Sequence, residues 1–407
     1  MHPRDILIIC NLDTRGPEIL RARERIQARG HRATVLDFSM ETVPPVDGDI
    51  PCAVVAARGG MSIETVRTAY RGDRKAATDN QIRGAIALAR DLFDDGRLDG
   101  VLGLGGGTCA LVATRVMQSL PFGLPKVMAS PMAGHPAYVG SYVGTSDITL
   151  LHTVVDVVRM NPLLQTQVDN AVGAICGMVE MGGVVDPPLG AKPVAVSSFG
   201  FAELAAQAAV VLLEEAGCTP VVFHAQGRGD RAMEQMVAAG RFAGVLDLCT
   251  GGVVEHLFHG NRDPGPDRLR AAVGAGVPVV LAPCGLDMLA LGGQADRLAS
   301  MPDRARHVQD ELRVQVRTTA AELRAAADDI AQRLQGASCP YLFLIPTRGW
   351  SSLDRPGGPL HDPAADAAFA RRLHELLPAG AVREVDLALY TRDFARLAVD
   401  ELLTRLG

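Results

Sequence analysis

The chain has 407 residues, 48% of them hydrophobic and 21% charged, which is too long for one ordinary core and typical of an α/β protein of two domains. A net charge of −6, from 40 basic and 46 acidic residues, together with 4% aromatics and no basic stripe, argues against a nucleic-acid surface. No apolar run reaches the roughly 18 residues of a membrane span and the start has no signal-peptide shape, so a cytoplasmic protein with no membrane partner is expected.

In chain order, an apolar run over 6–10 reads as a strand. The polar loop Asn11-Leu12-Asp13-Thr14-Arg15-Gly16-Pro17-Glu18 follows, then an amphipathic helix over 19–29. Ligands of open α/β sheets gather at the carboxyl ends of strands, which makes Asp13, Thr14 and Arg15 candidate binding residues. A helix cap is the other reading of Asp13 and Thr14. Residues 33–38 and 53–57 read as further strands, Arg58-Gly59-Gly60-Met61 as a turn, and 81–94 as a helix.

The stretch 98–114 organises the first half of the chain. A Val/Leu run ends in Gly103, Gly105, Gly106 and Gly107, and Thr108 then opens a helical pattern. Such a loop lets the backbone approach a ligand, and the first N–H groups and dipole of the following helix favour an anion, a phosphate above all. It is neither a P-loop, since no Lys follows Gly107, nor a dinucleotide fingerprint, since Thr108 takes the third glycine position. After it come a strand over 126–130 ending in Ser130, a loop with His135, a strand over 142–147, and helices over 148–160 and 163–178.

The Pro- and Gly-rich segment 184–193 reads as a linker, which divides the chain into 1–187 and 188–407. Beyond it the strand-loop-helix pattern resumes, with strands over 194–197, 220–223, 245–248, 279–281 and 341–345. The expected fold is two Rossmann-like domains, each a mostly parallel, doubly wound sheet. His224, Asp247, Glu255, His256, His259 and Asp287 raise a metal reading, but no HExxH pattern supports it, and no GxSxG elbow supports a hydrolase triad. The eight cysteines contain no CxxC pair and several fall inside apolar runs, which predicts buried free thiols.

The string 103–108, Pro125-Lys126-Val127, Tyr142-Val143-Gly144-Thr145-Ser146-Asp147, the run from His224 to Glu234, Gly244-Val245-Leu246-Asp247, Gly285-Leu286-Asp287-Met288 and Arg317-Thr318-Thr319 occur in order. In this the chain resembles a bacterial family related to the amino-terminal half of tomato's tomato mosaic virus resistance protein. The resemblance implies two Rossmann-like domains, ATP bound in the first, and homodimers. Its Asp-Thr-Lys/Arg motif falls on Asp13, Thr14 and Arg15, its phosphate loop on Gly106, Gly107 and Thr108, and its Gly-Thr-Ser-Asp segment on Gly144, Thr145 and Asp147. The chain departs from it at 74–79, where a Gly-Glu-Ala segment is expected, and at 308–311, where a His-Asn segment is expected.

The combined expectation is an ATP-binding enzyme, a ligase, kinase or hydrolase, acting on a small acidic metabolite between the two domains. ATP and Mg²⁺ are the expected cofactors, with Asp13 or Asp147 beside the cation, Ser130 and Gly105 completing the nucleotide site, and Asp13, His224 and Asp247 as catalytic candidates. Arg228, Arg231, Arg317 and Arg348 are the candidates for binding a substrate carboxylate. A nucleotide-dependent regulatory protein without turnover, and an ATP-independent hydrolase or isomerase, are the alternatives.

Overall fold

The computed structural model describes residues 2–407, which divide into two compact units, 2–187 and 188–407.

The first unit carries five parallel strands: β1 (Asp5–Cys10), β2 (Arg32–Asp37), β3 (Gly100–Leu104), β4 (Lys126–Ser130) and β5 (Thr149–His152), in the order β2-β1-β3-β4-β5. Apolar residues fill both faces of β1, because a parallel sheet is covered on both sides. Leu7 and Ile9 pack with the helices Cys52–Gly59, Arg74–Asp94 and Gly107–Gln118, while Ile6 and Ile8 face the helices Leu12–Ala28 and Pro162–Met181. The order reverses between β1 and β3, so the chain leaves these two neighbours in opposite directions and a crevice opens beyond their carboxyl ends.

Three sequence expectations fail here. Residues 53–57 are not a strand but the middle of the helix Cys52–Gly59, which starts after Pro51 and ends on left-handed Gly60. A short apolar run has no periodicity to separate a buried strand from a buried helix. The expected strand over 142–147 is the end of the helix Pro136–Val143 plus a turn, and the expected helix over 148–160 is the edge strand β5 followed by turns. Pro136 sits in the first turn of its helix, where a missing N–H costs nothing.

The second unit holds six parallel strands: β6 (Pro193–Ser198), β7 (Thr219–His224), β8 (Gly244–Asp247), β9 (Val279–Leu281), β13 (Tyr341–Pro346) and β14 (Val382–Val385). Their order is β14-β13-β9-β8-β6-β7, which reverses between β6 and β8 in the same way. A separate antiparallel sheet, β10 (Met288–Ala290), β12 (Val314–Arg317) and β11 (Arg306–Val308), was not expected from the sequence. Both units are Rossmann-like α/β domains. All eight cysteines are buried and free.

Candidate functional site

The glycine loop closes β3 at the switch point of the first sheet. Gly106 is the N-cap of the helix Gly107–Gln118, with extended backbone and no side-chain cap. The N–H groups of Gly107, Thr108 and Cys109 are therefore in the first turn, where a helix supplies no acceptor of its own. Glycine is required at 105, because a Cβ there would stand 2.6 Å from the Cβ of Cys109. Cys109 donates its thiol to the Ile9 carbonyl at 3.5 Å, tying the helix to β1, and burial pushes the thiol up to about 12.

The loop after β1 meets this turn from the other side. Asp37, at the end of β2, accepts the N–H of Leu12 at 3.0 Å and both the N–H and the hydroxyl of Ser39. That fixes the start of the helix Leu12–Ala28; burial raises the Asp37 carboxyl, the hydrogen bonds opposing it. The helix begins earlier than the sequence suggested, at Leu12, and is kinked at Arg15 ahead of Pro17. Asp13 lies in its first turn. Its Oδ1 accepts from the Asn11 side chain at 3.1 Å and its Oδ2 from the N–H groups of Glu41 at 3.2 Å and Thr42 at 3.5 Å. Arg15 reaches across to the glycine loop, Nη2 lying 3.6 Å from where a Cβ of Gly106 would be.

Together these residues enclose a cavity of about 220 Å³ lined by Asn11, Asp13, Thr14 and Arg15, by Gly106, Gly107, Thr108 and Cys109, and by Phe38, Met40, Glu41 and Tyr70. Of the first two groups, all but Asn11 and Cys109 were named as site residues from the sequence. The third was not: Phe38, Met40 and Glu41 follow the carboxyl end of β2, and Tyr70 comes from the helix Ile63–Gly72, with Arg74 stacked over its ring at 4.3 Å. The available signal was positional, since the end of β2 borders the same crevice.

Ser130 ends β4 at the same sheet edge and accepts the Met132 N–H at 3.1 Å, but it does not line the cavity. Gly144, Thr145 and Asp147 are elsewhere. A Cβ on Gly144 would lie 3.1 Å from the side chain of Gln118, the last residue of a 12-residue helix whose first turn is the glycine loop, so about 17 Å of helix separates them. Asp147 accepts from Lys126 Nζ at 2.6 Å and from the Gly123 N–H at 2.7 Å, and Lys126 opens β4 at its amino end. The expectation that these three join the phosphate loop is corrected: they stand at the opposite end of the sheet. His135 caps the helix Pro136–Val143 by accepting the Ala137 N–H at 3.2 Å and stacks on Tyr138.

In the second unit the proposed residues are dispersed. Asp247 is buried against Arg268, which also engages Asp230 and Glu234. His224 is exposed at the end of β7 and lines a separate cavity with Phe199 and Glu203. Arg231 lines a cavity of about 520 Å³ with Glu234, Arg268 and Arg270. Arg317 is buried and paired with Asp366, while Arg348 is exposed and paired with Asp386. Arg228 opens the helix Arg228–Ala238. His256 pairs with Asp263 at 2.9 Å. The four arginines line no common cavity among those described, so a single carboxylate clamp built from all of them has no support in this geometry.

The chain matches two domain descriptions over almost its whole length. Residues 4–183 correspond to the N-terminal domain, and residues 191–406 to the C-terminal domain, of an uncharacterised protein family, UPF0261. A UPF0261 protein of Clostridium tetani is 31% identical over 385 residues, covering 94% of each chain. One from Rhizobium meliloti is 32% identical over 406 residues, covering 97% of each. The ToMV resistance protein Tm-1(GCR237) of Solanum lycopersicum is 33% identical over 348 residues, 82% of this chain and 46% of its own length. The protein is a member of the UPF0261 family.

Proposed function

We propose that the first domain binds ATP, with its phosphates on the amides of Gly107, Thr108 and Cys109 and on Arg15, and that Mg²⁺ accompanies it. The observation that carries this reading is the cavity at the switch point, where an uncapped helix N-terminus and one guanidinium face the same space. An anion there gains from the helix dipole and from donors that the fold leaves unpaired. Phe38, Met40 and Tyr70 supply an apolar and aromatic wall beside the phosphate end, as a nucleoside requires. The cavity is smaller than a nucleoside triphosphate, so the rest of the ligand extends past its mouth.

Turnover on a small metabolite is the favoured role. A nucleotide-dependent binding role without turnover is the second reading. It is favoured by Asp13, whose two oxygens are already engaged by three hydrogen bonds that hold the loop.

Calorimetric titration of ATP with Mg²⁺ into the wild type and into Gly106→Val and Thr108→Val tests the site. A Cβ on Gly106 meets only Arg15 Nη2, at 3.6 Å, so valine there is compatible with the fold while covering the anion seat. Micromolar binding by the wild type, lost in Gly106→Val and weakened less by Thr108→Val, which keeps its backbone amide, is the expected result; no binding by the wild type rejects the reading. Steady release of ADP with added carboxylic-acid metabolites would separate turnover from binding alone.

A further inference from the structure

Glu41 brings a carboxylate into the lining of a cavity that otherwise suits an anion, with the first turn after Gly106 and the Arg15 guanidinium in the same lining. Like charges at close range cost binding, so this carboxylate fits a ligand only at a part that is not anionic. An ionised carboxylate accepts hydrogen bonds and donates none, which makes its partner on the ligand a donor such as a hydroxyl. Asp13, the other carboxylate of the lining, is taken up by three hydrogen bonds that hold the loop. Glu41 is not: its side chain is exposed, and its one side-chain hydrogen bond among the described residues comes from the Tyr70 hydroxyl at 3.5 Å. That is well beyond the usual length of about 2.7 Å, so both of its oxygens keep the capacity to accept.

The position of Glu41 is fixed by its backbone. The Phe38 N–H donates to the Cys10 carbonyl at 3.0 Å, Gln81 donates to the Phe38 carbonyl at 3.2 Å, and the Glu41 N–H donates to Asp13 at 3.2 Å. The strands run β2, β1, β3 across this part of the sheet, so the ends from which the Glu41 loop and the glycine loop depart stand two strand spacings apart, about 10 Å. That matches the reach from the outer phosphates of a nucleotide back to its sugar. Phe38, Met40 and Tyr70 line the cavity with Glu41 and offer the apolar surface that a sugar face and a base pack against. A ribose presents two adjacent hydroxyls, and a carboxylate presents two oxygens to receive them.

We infer that Glu41 is the ribose-recognition residue of the first domain, its two carboxylate oxygens accepting the 2′- and 3′-hydroxyls. The site then selects ribonucleotides over deoxyribonucleotides, and the same charge that favours hydroxyls rejects a phosphate carried on either of them. This rests on the nucleotide reading above.

ATP, 2′-deoxy-ATP and 3′-deoxy-ATP, each with Mg²⁺, are titrated calorimetrically into the wild type and into Glu41→Ala, an exposed substitution whose folding is checked by circular dichroism. The wild type is expected to bind ATP at least about tenfold more tightly than either deoxy analogue, since a hydrogen bond to a charged acceptor is lost with each hydroxyl. Glu41→Ala is expected to bind ATP at least about tenfold more weakly than the wild type and to hold the three nucleotides within about threefold of one another. The direction of the change in ATP affinity is diagnostic, because removing a carboxylate that only borders the phosphates would tighten binding. Equal binding of the three nucleotides by the wild type, ATP binding by Glu41→Ala as tight as the wild type's or tighter, or the same preference for ATP kept in Glu41→Ala overturns the assignment of Glu41 and leaves the nucleotide site standing. Absence of ATP binding to the wild type overturns the nucleotide reading and the inference with it.

Discussion

Arg268 and Asp247 face each other inside the second domain, Nη1 to Oδ2 at 2.6 Å and Nη2 to Oδ1 at 2.7 Å, each 1% exposed. Arg268 also meets Asp230 at 3.2 Å and Glu234 at 2.9 Å, and Ser197 donates to Asp247. Burial raises Asp230 to about 6, with Arg268 opposing the shift. This network pins the chain segment between β8 and β9 onto the helix Arg228–Ala238, which gives Asp247 a structural task.

Removing Asp247 leaves a buried guanidinium short of a partner. Asp247→Ala is expected to destabilise the protein by about 3–5 kcal/mol in urea unfolding, the usual loss when one half of a buried pair is deleted. ATP affinity of the folded fraction is expected to match wild type. A loss below about 1 kcal/mol would remove Asp247 from the network.

Asp366 supplies a pH dependence. It bonds to Arg317 but shares a buried cluster with Asp354 and Asp287, and one guanidinium does not balance three carboxylates. Burial, with Asp354 adding to it and Arg317 opposing, pushes Asp366 up to about 9. In the unfolded chain the same carboxyl loses its proton near pH 4. Between those values the folded protein binds one more proton than the unfolded chain, so this group's contribution falls as pH rises, by up to about 1.4 kcal/mol per unit. Asp366→Asn carries no such proton. Its stability relative to wild type is expected to improve from pH 5 to pH 8.5 in urea unfolding, and a difference that stays constant with pH would contradict the assignment.

Lys126 and Asp147 make a third, half-buried pair with a different consequence. Lys126 is fully buried and donates to Asp147 and to the Pro121 carbonyl, and burial lowers its pKa while Asp147 opposes the shift. Asp147→Asn is expected to cost about 2 kcal/mol of stability, less than a fully buried pair because Asp147 is partly exposed. It is expected to leave ATP affinity unchanged, since the pair stands at the amino end of the sheet. A tenfold loss of affinity with unchanged stability would return Asp147 to the nucleotide site.

What the sequence disclosed follows from which signals are local. The strand, glycine and helix sequence at 100–118 is a local pattern, and it was legible down to the glycine loop that lines the cavity. Position across the fold is not local. Gly144, Thr145 and Asp147 share small and polar character with the glycine loop, and nothing in their spacing says that a helix length separates them from it. Tyr70 was invisible for the same reason, because it reaches the cavity from a helix that bore no motif. Arg317 and Arg348 looked alike as free donors; only the folded chain reveals Asp366 and Asp386 beside them.

In the proposed nucleotide site the amides of Gly107, Thr108 and Cys109 receive phosphate. Hydrogen–deuterium exchange of the peptide spanning 104–112, with and without saturating Mg²⁺ and ATP, tests it where the contact is made. Slowed exchange in that peptide and in the one spanning 11–18, with no change at 142–150, is expected. Unchanged exchange at 104–112 under saturating ATP would contradict it.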